Sequence, residues 1–363
     1  MSNLPLVAVA MSGGVDSSVA AALLVERGYR VVGLMLRLWS EPGRAAENRC
    51  CTPAGVTLAQ RVAAKLAIPF HVIDAQQPFA EAIIPTFVSE YRRGRTPNPC
   101  LTCNREIRWG FLRRHAQAMG ADMLATGHYA RTRERDDQFE LLIARDSEKD
   151  QSYVLSVLDQ VALRQTLFPV GDLTKPEVRE HARRLDLPVT DRPDSQDLCF
   201  LAGDDYREFL KRYAPDTFRP GEIVTIEGRQ VGTHEGLANY TIGQRKGIGL
   251  AAGEPLYVVD LDERSNQVVV GTREKLGRSA LLTERVHWIN SPPRESIEAQ
   301  VKIRYKAPAV PARVTPRADG SSRVELAHPL RDITPGQAAV FYQGERCLGQ
   351  ATIKRSIPVG EED

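Results

Sequence analysis

Four largely apolar runs between Leu6 and Thr126, separated by stretches of helical spacing, constrain this chain more than any other feature. Leu6-Val7-Ala8-Val9-Ala10, Val31-Val32-Gly33-Leu34-Met35-Leu36, Phe70-His71-Val72-Ile73 and Met123-Leu124-Ala125-Thr126 lack the polar alternation of a half-solvated strand, so they read as strands covered on both faces. Between them, Val19 to Val25 and Leu58 to Leu66 carry apolar residues at near-helical spacing, and Phe79, Ile83, Phe87 and Tyr91 share one helical face. Strand, helix and strand in this order predict an α/β fold, a parallel sheet with helices on its faces. Pro176 to Leu185, with Val178, Ala182 and Leu185 on one side, completes a first domain expected over residues 1–213.

Beyond Tyr213 the pattern shortens. Gly221–Thr225, Pro255–Val259, Gln267–Gly271, Ala299–Tyr305 and Ala338–Tyr342 are brief strands punctuated by Gly, and Asp319 opens a hairpin turn between Ala312–Val314 and Arg323–Leu326. Regular spacing of this kind predicts two small β-rich, barrel-like domains, over residues 214–279 and 280–363. A chain of 363 residues, 42% apolar and 26% charged, has the length for two or three such cores and excludes disordered, collagenous and fibrous classes. The net charge of +2 means that a polyanionic partner has to be met by a local basic face. No apolar run approaches the roughly 20 residues of a membrane span, and Met1 to Pro5 show no basic segment leading a signal core. Cytoplasmic residence without a membrane partner is therefore the expectation. Six cysteines are too few and scattered for a secreted disulfide framework, so they need a packing, metal or catalytic explanation.

Ser12-Gly13-Gly14-Val15-Asp16-Ser17-Ser18 falls where the first strand hands over to the first helix. Small residues there expose backbone N–H groups at a helix N-terminus, which suits an anion. The Lys of a GxxxxGK[ST] loop is missing, so this is not the usual triphosphate-hydrolysing loop; an ordinary N-cap is the plain alternative. The heptapeptide resembles the pyrophosphate-binding (PP) loop of the ATP pyrophosphatase superfamily. That resemblance implies an adenine-nucleotide α-hydrolase-like domain that cleaves ATP between the α and β phosphates and adenylates a substrate oxygen, with Asp16 helping to place Mg²⁺. As a loop carboxylate, Asp16 is expected to be dispensable to the fold.

Thr96-Pro97-Asn98-Pro99-Cys100-Leu101-Thr102-Cys103-Asn104 is a Pro-braced loop, and a helix expected from about Arg105 puts Cys103 near its N-terminus, where thiolate is favoured. A CxxC alone serves metal, redox or neither. Cys347, and Cys199 taken alone, also read as buried hydrophobes. With the adenylating loop the set is more specific. Ala10 to Ser18, Gly94 to Pro99, Ala125 to Tyr129, Lys149 to Tyr153, Gly243 to Gly247 and Thr334 to Tyr342 together resemble the bacterial tRNA-specific 2-thiouridylases over nearly the whole chain. The resemblance implies ATP-dependent 2-thiolation of the wobble uridine in tRNAs for Lys, Glu and Gln. Cys199 would carry persulfide sulfur from a relay protein or cysteine desulfurase, and Cys103 would be the partner nucleophile that releases it or closes a disulfide. Ala10, Met11, Ser12, Gly13, Gly14, Val15, Asp16, Ser17, Leu36 and Gly127 fall on the family's ATP positions. Asn98, Pro99, Cys100, Lys149, Asp150, Gln151, Arg304 and Tyr305 fall on its tRNA positions. Many relatives have Asn-Pro-Asp where this chain has Asn98-Pro99-Cys100. The third thiol opens a second mechanism, in which Cys100, Cys103 and Cys199 hold a 4Fe-4S cluster with one iron free for sulfide.

Weaker features stay open at this level. Cys50-Cys51 reads as structural or incidental, and His128, ending a strand at the sheet's carboxyl edge, is a ligand contact or a capped strand end. The arginines at 92, 93, 95, 105, 108, 113 and 114, with Trp109 and Phe111 among them, and Gln244-Arg245-Lys246 suggest phosphate contacts. An adenylating amide or amidine synthetase would explain the loop but not the cysteines. A non-enzymatic iron–sulfur RNA sensor would not need the intact loop, and ATP turnover with tRNA separates it from an enzyme.

Overall fold

The computed structural model describes residues 4–41, 52–190, 192, 198–201, 203–250 and 254–360. Cys50, Cys51 and Asp194 to Asp197 lie outside them. The chain divides into two compact units: residues 1–83, 100–204 and 345–347, and residues 84–99, 205–344 and 348–363.

The first unit is built on a five-stranded, all-parallel sheet in which the expected strands β1 (Leu6–Ala10), β2 (Arg30–Arg37), β3 (Phe70–Asp74) and β4 (Met123–Thr126) are joined by a short β7 (Thr166–Leu167), in the order β3-β2-β1-β4-β7. Winding runs outward from β1 to β3 and resumes on the other side at β4, so the switch point lies between β1 and β4, and ligands of open α/β sheets bind above the carboxyl ends of such a pair. Helix α1 (Val15–Glu26) is buried on nearly every side from Val15 to Leu24, which accounts for its uniformly apolar sequence. It shares a core with α2 (Pro53–Lys65) through Ala59 and Val62 and with Val178, Ala182 and Leu187 further along the chain. Helix α3 (Gln76–Arg92) follows β3. A helical run then passes from α4 (Pro99–Thr102) through a π-helical stretch, Cys103–Leu112, into α5 (Arg113–Ala118). The antiparallel hairpin of β5 (Arg131–Arg135) and β6 (Gln138–Leu142), with its polar and exposed outer strand, was not legible as strands. Short helices α6 (Ser152–Leu155) and α7 (Gln160–Arg164) lead to β7, and α8 (Lys175–Arg184) closes the layer.

The second unit holds α9 (Tyr206–Tyr213), a four-stranded sheet and a barrel. The sheet comprises β8 (Gly221–Thr225), β9 (Gln230–His234), β10 (Tyr257–Asp262) and β11 (Gln267–Gly271), in the order β10-β11-β8-β9 around Ile223, Val258, Val268 and Val270. The barrel runs β12 (Arg278–Thr283), β16 (Ser322–Leu330), β15 (Val310–Pro316), β14 (Ile297–Lys302), β17 (Ala338–Gln343) and β18 (Arg346–Pro358), and β12 pairs with β18 to close it. The two-residue strand β13 (His287–Trp288) pairs with β18. Alternating residues such as Val301, Val314, Val324, Phe341 and Ile353 fill its interior. Closure removes the exposed edges that short strands would otherwise present.

Candidate active site

The expected nucleotide residues gather at the switch point. Ala10 ends β1, Met11 N–H is held by the Leu34 carbonyl at 2.8 Å, and Leu36 lies half-buried near the carboxyl end of β2. Gly13 has φ +71°, and a Cβ on it would stand 2.4 Å from the Gly55 carbonyl oxygen, so only glycine fits there. Arg192 fixes this peptide by donating to the Gly13 carbonyl at 2.7 Å. Gly14 opens α1 with no side-chain cap, a helix start of the kind that suits an anion. Ser17 and Ser18 instead donate back to the Gly14 carbonyl at 3.2 and 2.8 Å and brace the turn. Gly127, far off in sequence, meets the loop: a Cβ on it would lie 2.5 Å from the Ser17 nitrogen and 2.6 Å from the Asp16 carbonyl carbon.

The Asp16 carboxylate accepts from Lys175 Nζ at 2.7 and 2.9 Å and from the Tyr129 hydroxyl at 2.8 Å. Lys175 is a site residue that sequence reasoning missed. Thr174 and Glu177 form a capping box, which with Pro176 starts α8 at Lys175; that signal was readable, whereas its reach to Asp16 was not. Asp16 is also not the structurally idle carboxylate expected, because it neutralises an ammonium whose side chain is only 10% exposed.

On the facing side of Gly127, His128 is buried between Thr126, 2.8 Å from its Nδ1, and Arg108, 2.7 Å from its Nε2. Arginine only donates, so Nε2 accepts and the proton sits on Nδ1. Burial, reinforced by the Arg108 charge, holds the imidazole well below its ordinary pKa. A neutral folded His means that the unfolded chain binds the extra proton below about pH 6.5. Its contribution is present above that pH and lost as pH falls. Wild-type unfolding free energy should thus drop by about 1.4 kcal/mol more between pH 7.5 and 5.5 than that of a His128→Gln variant. Equal pH slopes in urea melts would contradict a neutral His128.

The helical run carrying the cysteines begins at Pro99, earlier than expected, so Cys100 occupies its exposed first turn and Cys103 lies one turn in and buried. The helix dipole therefore reaches Cys100 first. Asn104 donates to the Val154 carbonyl at 2.8 Å and Arg108 to Asn104 Oδ1 at 3.3 Å, anchoring this stretch. Cys199 is half-buried at the start of a short 3₁₀ turn, and Cys347 is buried. Among the described residues no three Cys, His, Asp or Glu side chains converge as metal ligands.

Of the expected RNA contacts, Asp150 is buried and accepts from Ala144 N, Ser152 N and Ser152 Oγ, while Gln151 accepts from Tyr129 N at 2.9 Å. Lys149 is the cation of that turn. In the second unit, Arg304 is held by Asp332 and Thr334, and Lys302 lies over the Tyr305 ring. Asn98 and Pro99 follow a segment strapped by Gln337, whose amide donates to the Thr96 and Pro97 carbonyls. Much of the basic stretch is built into the fold: Arg92 pairs with Asp216, Arg95 bridges Glu90 and Glu284, Arg105 meets Glu106 and Arg113 meets Gln165. Arg114 remains exposed. Gln244 braces its own loop through Thr241 and Lys246, which leaves Arg245 and Lys246 on the surface.

A parallel sheet carrying an uncapped, glycine-formed helix start at its switch point defines a nucleotide-binding protein of the adenine-nucleotide α-hydrolase-like class. Family models described as a tRNA methyl transferase HUP domain, a tRNA methyl transferase PRC-barrel domain and an aminomethyltransferase beta-barrel domain match residues 6–203, 207–272 and 278–353. The chain is 47% identical over 353 residues to the tRNA-specific 2-thiouridylase MnmA of Chloroflexus aggregans, covering 96% of this chain and 98% of that one. It is 46% identical over 357 residues to the protein of the same name from Heliobacterium modesticaldum, covering 97% and 93%. The chain belongs to the tRNA-specific 2-thiouridylase family. Among solved structures, a 4-thiouridine synthetase–RNA complex with bound ATP aligns at a TM-score of 0.36 and 16% identity over 58% of this chain and 51% of the other; the assignment rests on the sequence relatives. No helix among the described residues is long and apolar enough to cross a membrane.

Proposed function

We propose that the protein is an ATP-dependent tRNA-uridine 2-sulfurtransferase acting on the wobble uridine, position 34, of tRNAs for Lys, Glu and Gln. The observation that carries this reading is the uncapped start of α1 at Gly14, set against Gly127 at the sheet's switch point, in a chain with full-length 2-thiouridylase relatives. The family models' descriptions speak of methyl transfer, but the relatives aligned over the whole chain are named for thiolation, and paired cysteines serve sulfur chemistry.

The uridine O2 attacks the α-phosphorus of ATP, and pyrophosphate departs toward the Ser12–Ser17 loop as the base loses its N3 proton. A Mg²⁺ bound with the phosphates would be held by Asp16 and would supply charge neutralisation there. The terminal sulfur of a Cys199 persulfide, charged by a relay protein or a cysteine desulfurase, then bonds to C2. Cys103 thiolate attacks Cys199 Sγ, and the S–S electron pair passes to the sulfur left on the base, which becomes the thiocarbonyl as AMP leaves. The resulting Cys103–Cys199 disulfide is reopened by a thiol reductant. Iron–sulfur chemistry at Cys100, Cys103 and Cys199 is the second reading, and the third thiol is what favours it. Mass analysis of tRNA incubated with protein, ATP, Mg²⁺ and a persulfide donor should show a single O-to-S replacement at position 34. A Cys100→Asp variant should match wild type aerobically; product formed only after anaerobic iron reconstitution would replace the persulfide route with the cluster.

A further inference from the structure

Two separate chains of hydrogen bonds run from the turn at Asp146–Gln151 to the carboxylate of Asp16. In the first, Gln151 and Tyr129 clasp each other, Gln151 N–H to the Tyr129 carbonyl at 2.8 Å and Tyr129 N–H to Gln151 Oε1 at 2.9 Å, and the buried Tyr129 hydroxyl donates to Asp16 Oδ1 at 2.8 Å. In the second, Asp146 Oδ2 accepts from the Lys175 backbone N–H at 2.8 Å, and Lys175 Nζ donates to both Asp16 oxygens. The turn between these anchors is itself stiff. Glu148 N–H reaches Asp146 Oδ1 at 3.1 Å, Lys149 N–H the Asp146 carbonyl at 3.2 Å, and Asp150 is fixed by Ala144 and Ser152.

We propose that Tyr129 is a positioning residue that couples RNA docking on the Lys149 turn to the nucleotide loop, so that RNA and ATP each raise the other's affinity; this rests on the thiolation reading above. Lys149 stands between the two residues, Asp146 and Gln151, whose bonds hold Tyr129 and Lys175 in place. A phosphate drawn to Lys149 loads a turn that cannot shift without moving both donors. The Asp16 carboxylate has two arrangements open to it, gripped by the chain's own donors as here or released from them beside a bound nucleotide, and the turn biases between them. Linkage requires the effect to be reciprocal, and couplings of this kind span about 5- to 150-fold.

The test measures affinity for a non-hydrolysable ATP analogue with and without tRNA, and for tRNA with and without the analogue. Wild type should show about tenfold tightening, equal in both directions. Tyr129→Phe keeps the ring and removes one hydroxyl; its coupling should fall to within twofold of unity while affinity for tRNA alone stays unchanged. Gln151→Ala, at the other end of the clasp, should weaken tRNA binding and also lose the coupling, and the double variant should lose no more. A merely structural tyrosine would shift melting temperature and both affinities but leave their ratio untouched. Wild-type coupling retained in Tyr129→Phe overturns the inference, as does a wild type that binds both ligands independently. A wild type that binds no tRNA overturns the thiolation reading itself.

Discussion

Replacing Asp16 with Asn should lower tRNA-dependent AMP release by about 10²- to 10³-fold, the scale seen when one charge-stabilising group is removed from a transition state. Asn keeps the shape of the side chain and its acceptor oxygen but cannot neutralise Lys175 or a cation carried by the phosphates. The same change should cost stability, contrary to what a loop carboxylate suggests. It takes from the Lys175 ammonium the counter-charge 2.7 Å away, a loss of about 1–3 kcal/mol for a pair partly screened by the 31% exposure of Asp16. Adding Lys175→Met removes the ammonium itself, so the double variant should melt near wild type while AMP release stays low. That separates the chemical role of Asp16 from its structural one. AMP release within twofold of wild type in Asp16→Asn would end the assignment.

Cys199→Ser should bring 2-thiouridine formation below detection while tRNA-dependent pyrophosphate release continues, because a hydroxyl cannot carry sulfane sulfur yet the adenylating loop is untouched. Cys103→Ser should also stop net thiolation, but with a distinguishable intermediate: persulfide still loads on Cys199 and is seen as a 32-Da gain on the intact protein, an increment that is about the mass of one sulfur atom. Cys347→Ala is the proper control. Cys347 is fully buried beside Leu348, so Ser there would test the burial of a hydroxyl in an apolar site rather than sulfur transfer. Thiolated tRNA from Cys199→Ser supplied with a persulfide donor would contradict the carrier role.

The four apolar runs marked their strands because a sheet covered on both faces tolerates no polar alternation, and β5 and β6 went unseen because Arg131–Arg135 is a polar, largely exposed strand. The proline spacing predicts loop at Pro99, yet its fixed φ suits the first position of a helix, and the helical run starts there, four residues ahead of Cys103. Arginines around the cysteines looked like one basic face, but ion pairing depends on partners such as Asp216 and Glu284, which lie far away in sequence.

By itself the sequence determined the α/β class, the two β-rich modules, the glycine-formed strand-to-helix loop at Ser12 to Ser18 and the family resemblance, since each follows from local periodicity or from a contiguous motif. Only the tertiary structure decided that Gly127 packs on the loop, that Lys175 and Tyr129 grip Asp16, and that His128 is neutral between Thr126 and Arg108. These contacts join residues brought together by the crossover of a parallel sheet, and no local pattern records which distant side chains a switch point will gather.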